Sequence, residues 1–199
     1  RGGEFFTDTV LEAHRLNSPY LLEGNDKSFV EELKKALGGL ADGHIDRRKL
    51  AKTLFQYDVG SLLHGVFLAK KELAGGRLRI PRAISAFIEA DSAKVAPSGG
   101  VKNDHVNPRG ATKQGYGNVP FARDEYTADR IVLFVNVDLA LIRGYGLDKN
   151  QENLLTVLAL YKLAALVETG LRLRTACDLE PEMPGEIVAR RPQGFRLPD

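Results

Sequence analysis

The chain has 199 residues, 43% hydrophobic and 27% charged, with 28 Lys/Arg against 26 Asp/Glu and a net charge of +2. That is an ordinary globular composition, long enough for one domain with its own core or one with large insertions. The single cysteine, Cys177, excludes a disulfide framework and a cysteine-cluster zinc site, and the longest apolar run, Leu154–Val167, is too short for a bilayer and contains Lys162.

In chain order, Thr9–Glu12 has capping-box spacing and predicts a short helix through Leu16, ended by Asn17-Ser18-Pro19. His14 and Arg15 fall near its C-terminus, where positive charge is favourable. Ser28–Glu31 is a second capping box, opening a helix with Phe29, Leu33 and Leu37 on one face and a stop at Gly38-Gly39. Asp46 is placed to cap a third helix bearing Leu50, Leu54 and Tyr57. Leu62–Ala69 is a short, nearly continuous apolar run and predicts a buried strand, and Leu73–Gly76 a turn. From Arg77 to Glu89 the alternation is strand-like. Leu78, Ile80, Ile84, Ala86 and Ile88 share one face, and Arg77, Arg79, Ser85, Phe87 and Glu89 the other, with Pro81 marking an edge or a bulge. The polar face suits a phosphate backbone with a stacking base, or equally a wet outer surface.

Pro97–Pro120 carries three prolines and five glycines, with Lys102, Arg109, Lys113 and His105 against one acid, Asp104. It predicts a long, basic, mobile excursion from a sheet. Residues 61–123 hold ten Lys/Arg and four Asp/Glu, a local +6 that points to a polyanion. A strand is expected from Arg130 through Leu139, a turn at Arg143–Gly146, and a buried helix over Gln151–Glu168 that is apolar almost all round. Gly170 ends that helix and another strand runs through Leu171, Leu173, Thr175 and Cys177, making a βαβ unit with Cys177 in the core. A loose tail follows from Pro181.

The chemistry of these residues favours binding over catalysis. His14, His44, His64 and His105 lie on different elements with no metal-binding spacing, and no Walker loop, dinucleotide fingerprint or nucleophile elbow is present. Asp104-His105 is the sole adjacent acid–imidazole pair in the mobile stretch, and Asp124 lies nearby; together they define a rival reading as a metal-dependent ribonuclease. A scaffold that contacts only proteins is a second rival. Backbone amides with Lys102, Arg109 and Lys113 would hold phosphates without reading sequence, and Tyr116 or Phe121 would insert against a base.

Several blocks carry a family resemblance: LEAHRLNSPYLLEG, SLLHGVFLAKKELAGGRLRIPRAISAFIEA, SGGVKNDHVNP, GYGNVPFARDEYTA and GLRLRTACDLE. In this order, from about Phe5 to Glu180, they resemble the CRISPR-associated RAMP backbone subunit ("Cas seven" family) of type I-U (I-G) Cascade surveillance complexes. The resemblance implies an α+β chain with a modified RNA-recognition (ferredoxin-like) fold, large insertions, and a first strand preceding residue 1. It implies a cytoplasmic, non-catalytic subunit without cofactor or metal. Such a subunit coats CRISPR RNA as repeated copies, meets other Cascade subunits and lets the guide pair with target DNA. A basic palm is assigned to the Leu11–Pro19 block (Arg15, Asn17, Ser18) and to Arg77, Arg79 and Arg82. A thumb-like finger is assigned to Ser98–Phe121, with Lys102, Asn103, His105, Asn107, Arg109, Lys113, Tyr116, Asn118 and Phe121, and with Val101 or Val119 as alternative wedges. Domain bounds of 1–180, with a tail over 181–199, follow from the same reading.

Overall fold

The computed structural model describes residues 15–18, 22, 27–40, 44–71, 73, 76–174, 177–182 and 187–195. The architecture is α+β, as the family resemblance implies. Chain contacts divide it into two units: Arg1–Ser85 with Asn136–Asp199, and Ala86–Val135.

The first unit holds the core. Helix α1 (Ser28–Leu37) buries Val30, Leu33 and Leu37; Lys27, not Ser28, occupies its cap position. Helix α2 (Arg47–Tyr57) starts where predicted, because the Asp46 carboxylate accepts from the N–H groups of Arg48 and Lys49, each at 3.0 Å. The predicted strand Leu62–Ala69 is instead a short helix, α3 (Gly60–His64), followed by strand β1 (Val66–Leu68). The buried Asp58 carboxylate accepts from Gly60 N–H at 3.1 Å and from the Ser61 hydroxyl at 2.7 Å, which favours a helical turn over extension. Gly65, at φ +79, then converts helix to strand.

Strand β2 (Leu78–Ile80) pairs antiparallel with β1, Phe67 lying opposite Arg79. The long predicted strand breaks at Pro81–Ala83, where Pro81 has no N–H to donate, and resumes as β3 (Ile84–Asp91). Helix α4 (Leu139–Gly144) begins at Asp138, whose carboxylate accepts from Leu141 N–H at 2.8 Å, so the preceding strand stops at Val137 rather than reaching Leu139. Tyr145 is buried and its hydroxyl donates to Leu62 C=O at 2.8 Å. Burial first, then the charge of Asp138, pushes its phenol up to about 12, so it remains a donor at neutral pH.

Helix α5 (Lys149–Thr169) starts at a complete Asp148/Gln151 capping box and ends at Gly170. Its burial departs from expectation. Only Leu155 and Ala159 are buried, while Leu154, Val157 and Tyr161 are more than half exposed. After it, Leu171–Arg174 (β7) and Cys177–Leu179 (β8) form an antiparallel hairpin instead of one strand, and Cys177 is only partly buried. Residues 187–195 contain no helix or strand.

The second unit consists of two ribbons. β3 pairs with β6 (Arg130–Val137), and β4 (Lys94–Lys102) pairs antiparallel with β5 (Val119–Thr127). Among the described residues the strands are thus spread over four two-stranded sheets. β6 and β7 do not pair, so neither the βαβ unit nor a single ferredoxin-like sheet is assembled there. None of the buried core side chains comes from residues 86–135. By contrast, half of the sixteen exposed large hydrophobics among the described residues do: Phe87, Val95, Val101, Val106, Tyr116, Phe121, Tyr126 and Ile131. A two-stranded ribbon is marginal alone; Phe87 stacks on Phe134 at 4.8 Å within this unit, and the other exposed apolar side chains named here belong to no buried core among the described residues.

Candidate nucleic-acid interface

The predicted mobile excursion is a structured hairpin. Pro97, Gly99 and Gly100 all lie in β4, paired with Asp124, Ala122 and Phe121 of β5. The composition argument fails because both strands of a two-stranded ribbon are edges, where proline and glycine are tolerated. Strand alternation sorts the side chains into two faces. Lys94, Ser98, Gly100 and Lys102 share one face with Phe121, Arg123 and Glu125; Val95, Pro97 and Val101 share the other with Pro120, Asp124 and Tyr126.

On the first face the Phe121 ring lies across Gly100. A Cβ built at Gly100 would stand 3.2 Å from the ring's Cζ, so glycine is what lets the ring settle there. Phe121 nonetheless remains 49% exposed, which leaves much of its surface for a ligand. Arg123 is an internal partner: its Nη2 sits 2.6 Å from Glu125 Oε1, an ion pair by distance without hydrogen-bond geometry. Lys102, Arg109 and Lys113 are exposed and in no ion pair among the described residues.

The tip between the strands is tied together by Asp104. Its Oδ1 accepts from Val106 N–H at 2.9 Å and Asn107 N–H at 3.3 Å, and its Oδ2 from Gly117 N–H at 3.2 Å. The Asn107 carbonyl accepts from both Gly110 and Gly117, and Thr112–Gln114 forms a 3-10 turn. Gly117 is required here: it is at φ +75, and a Cβ would lie 2.8 Å from Gly110 O. Asn103, His105, Asn107, Arg109, Lys113, Tyr116 and Asn118 are all exposed around this closed turn. The hydrogen bond from Val106 N–H, with those from Asn107 and Gly117 and the charge of Lys102, holds the Asp104 carboxyl below its ordinary pKa.

A depressed carboxylate pKa stabilises the fold above the unfolded value, and that contribution is lost as pH falls through the folded value. Hydrogen exchange at Val106, Asn107 and Gly117 is therefore expected to lose its protection selectively below the ordinary carboxylate range. Asp104→Asn should already show that loss at neutral pH, because the amide offers one acceptor oxygen in place of two. Equal protection of these amides at acid and neutral pH would show that Asp104 does not hold the tip.

In the first unit the expected palm residues divide. Leu11–His14 and Pro19 lie outside the described residues, and of Arg15 only the backbone is described, at the start of a 3-10 turn, Arg15–Asn17. Asn17 is committed to structure, its Oδ1 accepting from Lys70 N–H at 3.0 Å. Ser18, assigned to the palm, is 2% exposed and its carbonyl accepts from Leu22 N–H. Arg77, Arg79 and Arg82 are exposed. Phe67, opposite Arg79, is also 47% exposed, and no sequence signal singled it out.

Asp104 is occupied by three backbone amides, and Asp124 lies on the hairpin face away from Phe121. Among the described residues no group of three or more His, Cys, Asp and Glu side chains is arranged to hold a metal ion. Among them, too, no helix is long and apolar enough to cross a membrane.

With this geometry in place, comparison adds a family. Residues 3–95 match a family of CRISPR-associated proteins. The family is described as CRISPR-associated protein GSU0053, and the matched stretch, just under half of the chain, includes β1, β2 and β3 and ends as β4 begins. The match supports a CRISPR-associated subunit, in agreement with the resemblance drawn from the sequence blocks. No curated protein matches the chain.

Proposed function

We propose that this chain is a non-catalytic CRISPR RNA-binding backbone subunit. Copies of it line up along the guide, and the guide is presented for pairing with target DNA. One observation carries the reading: the β4–β5 hairpin. It combines a closed tip with Lys102, Arg109 and Lys113, in no ion pair among the described residues, and exposed aromatics at Tyr116 and Phe121, in a unit that contributes nothing to the buried core of the described residues. Cations hold phosphates whatever the sequence, and aromatic rings accept any base, which suits a protein that must carry guides of every sequence. Asp104 serves the tip's own backbone, which favours a structural over a hydrolytic role for the acid nearest the aromatics.

The deciding experiment is extraction of nucleic acid from the chain purified with its native CRISPR locus. RNA of uniform length, protected without being cut over time in the presence of divalent cations, is the expected result. Time-dependent, cation-dependent shortening would replace this reading with the ribonuclease. An assembly of unchanged size that carries no RNA would replace it with the protein scaffold.

A further inference from the structure

We propose that two copies of the free chain pair about a two-fold axis through the exposed face of helix α5, the helices running antiparallel with Leu154 against Ala164 and Val157 against Tyr161. The inference stands apart from the RNA-binding reading, because the pairing needs no RNA and uses no residue assigned to RNA.

Spacing on the helix makes the surface. Asn150, Leu154, Val157, Tyr161, Ala164 and Glu168 are all exposed and follow one another at alternating intervals of four and three residues. That alternation keeps side chains in one line along a helix and is the spacing of a seam between two helices. Leu155 and Ala159, which are buried, lie on the side of α5 turned away from this line. Leu154, Val157 and Tyr161 are each more than half exposed, and no charged residue falls on the line between Asn150 and Glu168. Such a face suits a second apolar face and offers nothing to a polyanion.

The order of side chains selects the occupant. The intervals four, three, four, three, four read the same in both directions, so a second copy of α5 fits the line when reversed. Reversal sets the large Leu154 against the small Ala164 of the other copy and Val157 against its Tyr161, and two-fold symmetry repeats both pairs. Large against small is how facing positions fill space. The ends match as well. Glu168 of each copy falls opposite Asn150 in the first turn of the other helix, where the helix dipole and the neighbouring exposed Lys149 favour an acid. Lys149 lies 3.7 Å from Glu152 of its own helix and is not held there by a close contact. A parallel pair has none of this match. It sets Tyr161 against Tyr161, leaves Ala164 facing Ala164 and brings the two Glu168 carboxylates together. The line is about 27 Å long at the rise of an α-helix, and one such seam buries far less than the roughly 800 Å² per partner of a standard interface. The pair is therefore weak: it forms in concentrated protein and leaves the stripe open in dilute solution. It also closes on two copies, unlike the open head-to-tail contact of an array.

The test is sedimentation equilibrium of the RNA-free full chain over concentrations reaching the millimolar range, followed by a register assay. The average mass of the wild type is expected to climb from one copy toward two and to stop there. Val157→Gln with Tyr161→Gln puts good helix formers on an exposed face and should leave the circular dichroism unchanged. It should weaken pairing about tenfold or more, as two large apolar side chains lose their burial. For the register, Cys177→Ser removes the single native thiol, and Leu154→Cys or Ala164→Cys is added to that background. A short bismaleimide should link these two variants when they are mixed and link neither to itself. A wild type that stays a single copy throughout would overturn the inference, as would pairing by the double variant equal to wild type. Self-linking of each cysteine variant with no gain on mixing would overturn the antiparallel register. Protection of the Leu154→Cys thiol from maleimide only when another protein of the same locus is added would give the face to that protein and defeat the self-pair. Each of these results leaves RNA binding by the hairpin untouched, so failure here is distinct from failure of the proposed function.

Discussion

Reversing the charge of Lys102 and Arg109 together, Lys102→Glu with Arg109→Glu, is expected to weaken RNA binding equally for unrelated sequences and to flatten its salt dependence. Both side chains are exposed on the hairpin and in no ion pair among the described residues; Lys102→Glu also removes the charge that helps keep Asp104 ionised, so protection of the tip amides is checked alongside binding. Each phosphate contact with a single strand contributes about 0.7 to the slope of log affinity against log salt. Losing two such contacts should therefore lower the slope by about 1.4 units. The measurement is a titration at several salt concentrations with two RNAs of different sequence. An unchanged slope, with the hairpin still protected from hydrogen exchange, would remove this tip from the RNA site.

Replacing Tyr116 and Phe121 by Ala tests the other half of the hairpin's chemistry. If these rings enter the RNA held by the next copy, guide bases in the wild-type assembly should react with chemical probes at a fixed interval, each interval showing one unstacked base. The double variant should keep its phosphate contacts and lose that periodicity, with a loss of roughly tenfold or more in affinity for two missing base contacts. Head-to-tail contacts that do not close build open arrays, so the variant assembly should also be less regular in length. A wild type without periodicity would defeat the array. Periodicity surviving in the variant would move the wedge to Val119 on the same face or to Val101 on the opposite one.

Much of the local structure could be read before the fold was known, and the misses have physical reasons. Asp46 and Gly170 mark helix ends through short-range hydrogen bonds and backbone freedom, which sequence shows directly, whereas the Asp148–Gln151 capping box starts its helix two residues before the expected Gln151. The Leu62–Ala69 run was ambiguous because short apolar runs fit a buried strand or a buried helix alike. Asp58, several residues upstream, decided it. At Pro97–Gly100 proline and glycine argue against a central strand but not against a ribbon made only of edges. The role of Asp104 was hidden because one of its partners, Gly117, is thirteen residues away and contributes only a backbone N–H. Phe67 was hidden for the opposite reason. Inside an unbroken apolar run nothing distinguishes the one ring that faces outward, and only its pairing with Arg79 reveals it.

The exposed residues of helix α5 change how the protein will behave at the bench. Leu154, Val157 and Tyr161 lie one helical turn apart in sequence and leave apolar surface on a fully folded helix. Environment-sensitive dyes brighten on such surface whether it belongs to a molten state or to a native one. A dye-monitored melting scan of the isolated chain should therefore start bright and show a shallow rise, understating the cooperativity that circular dichroism would record. Addition of whatever covers that stripe should darken the starting signal before any heat is applied.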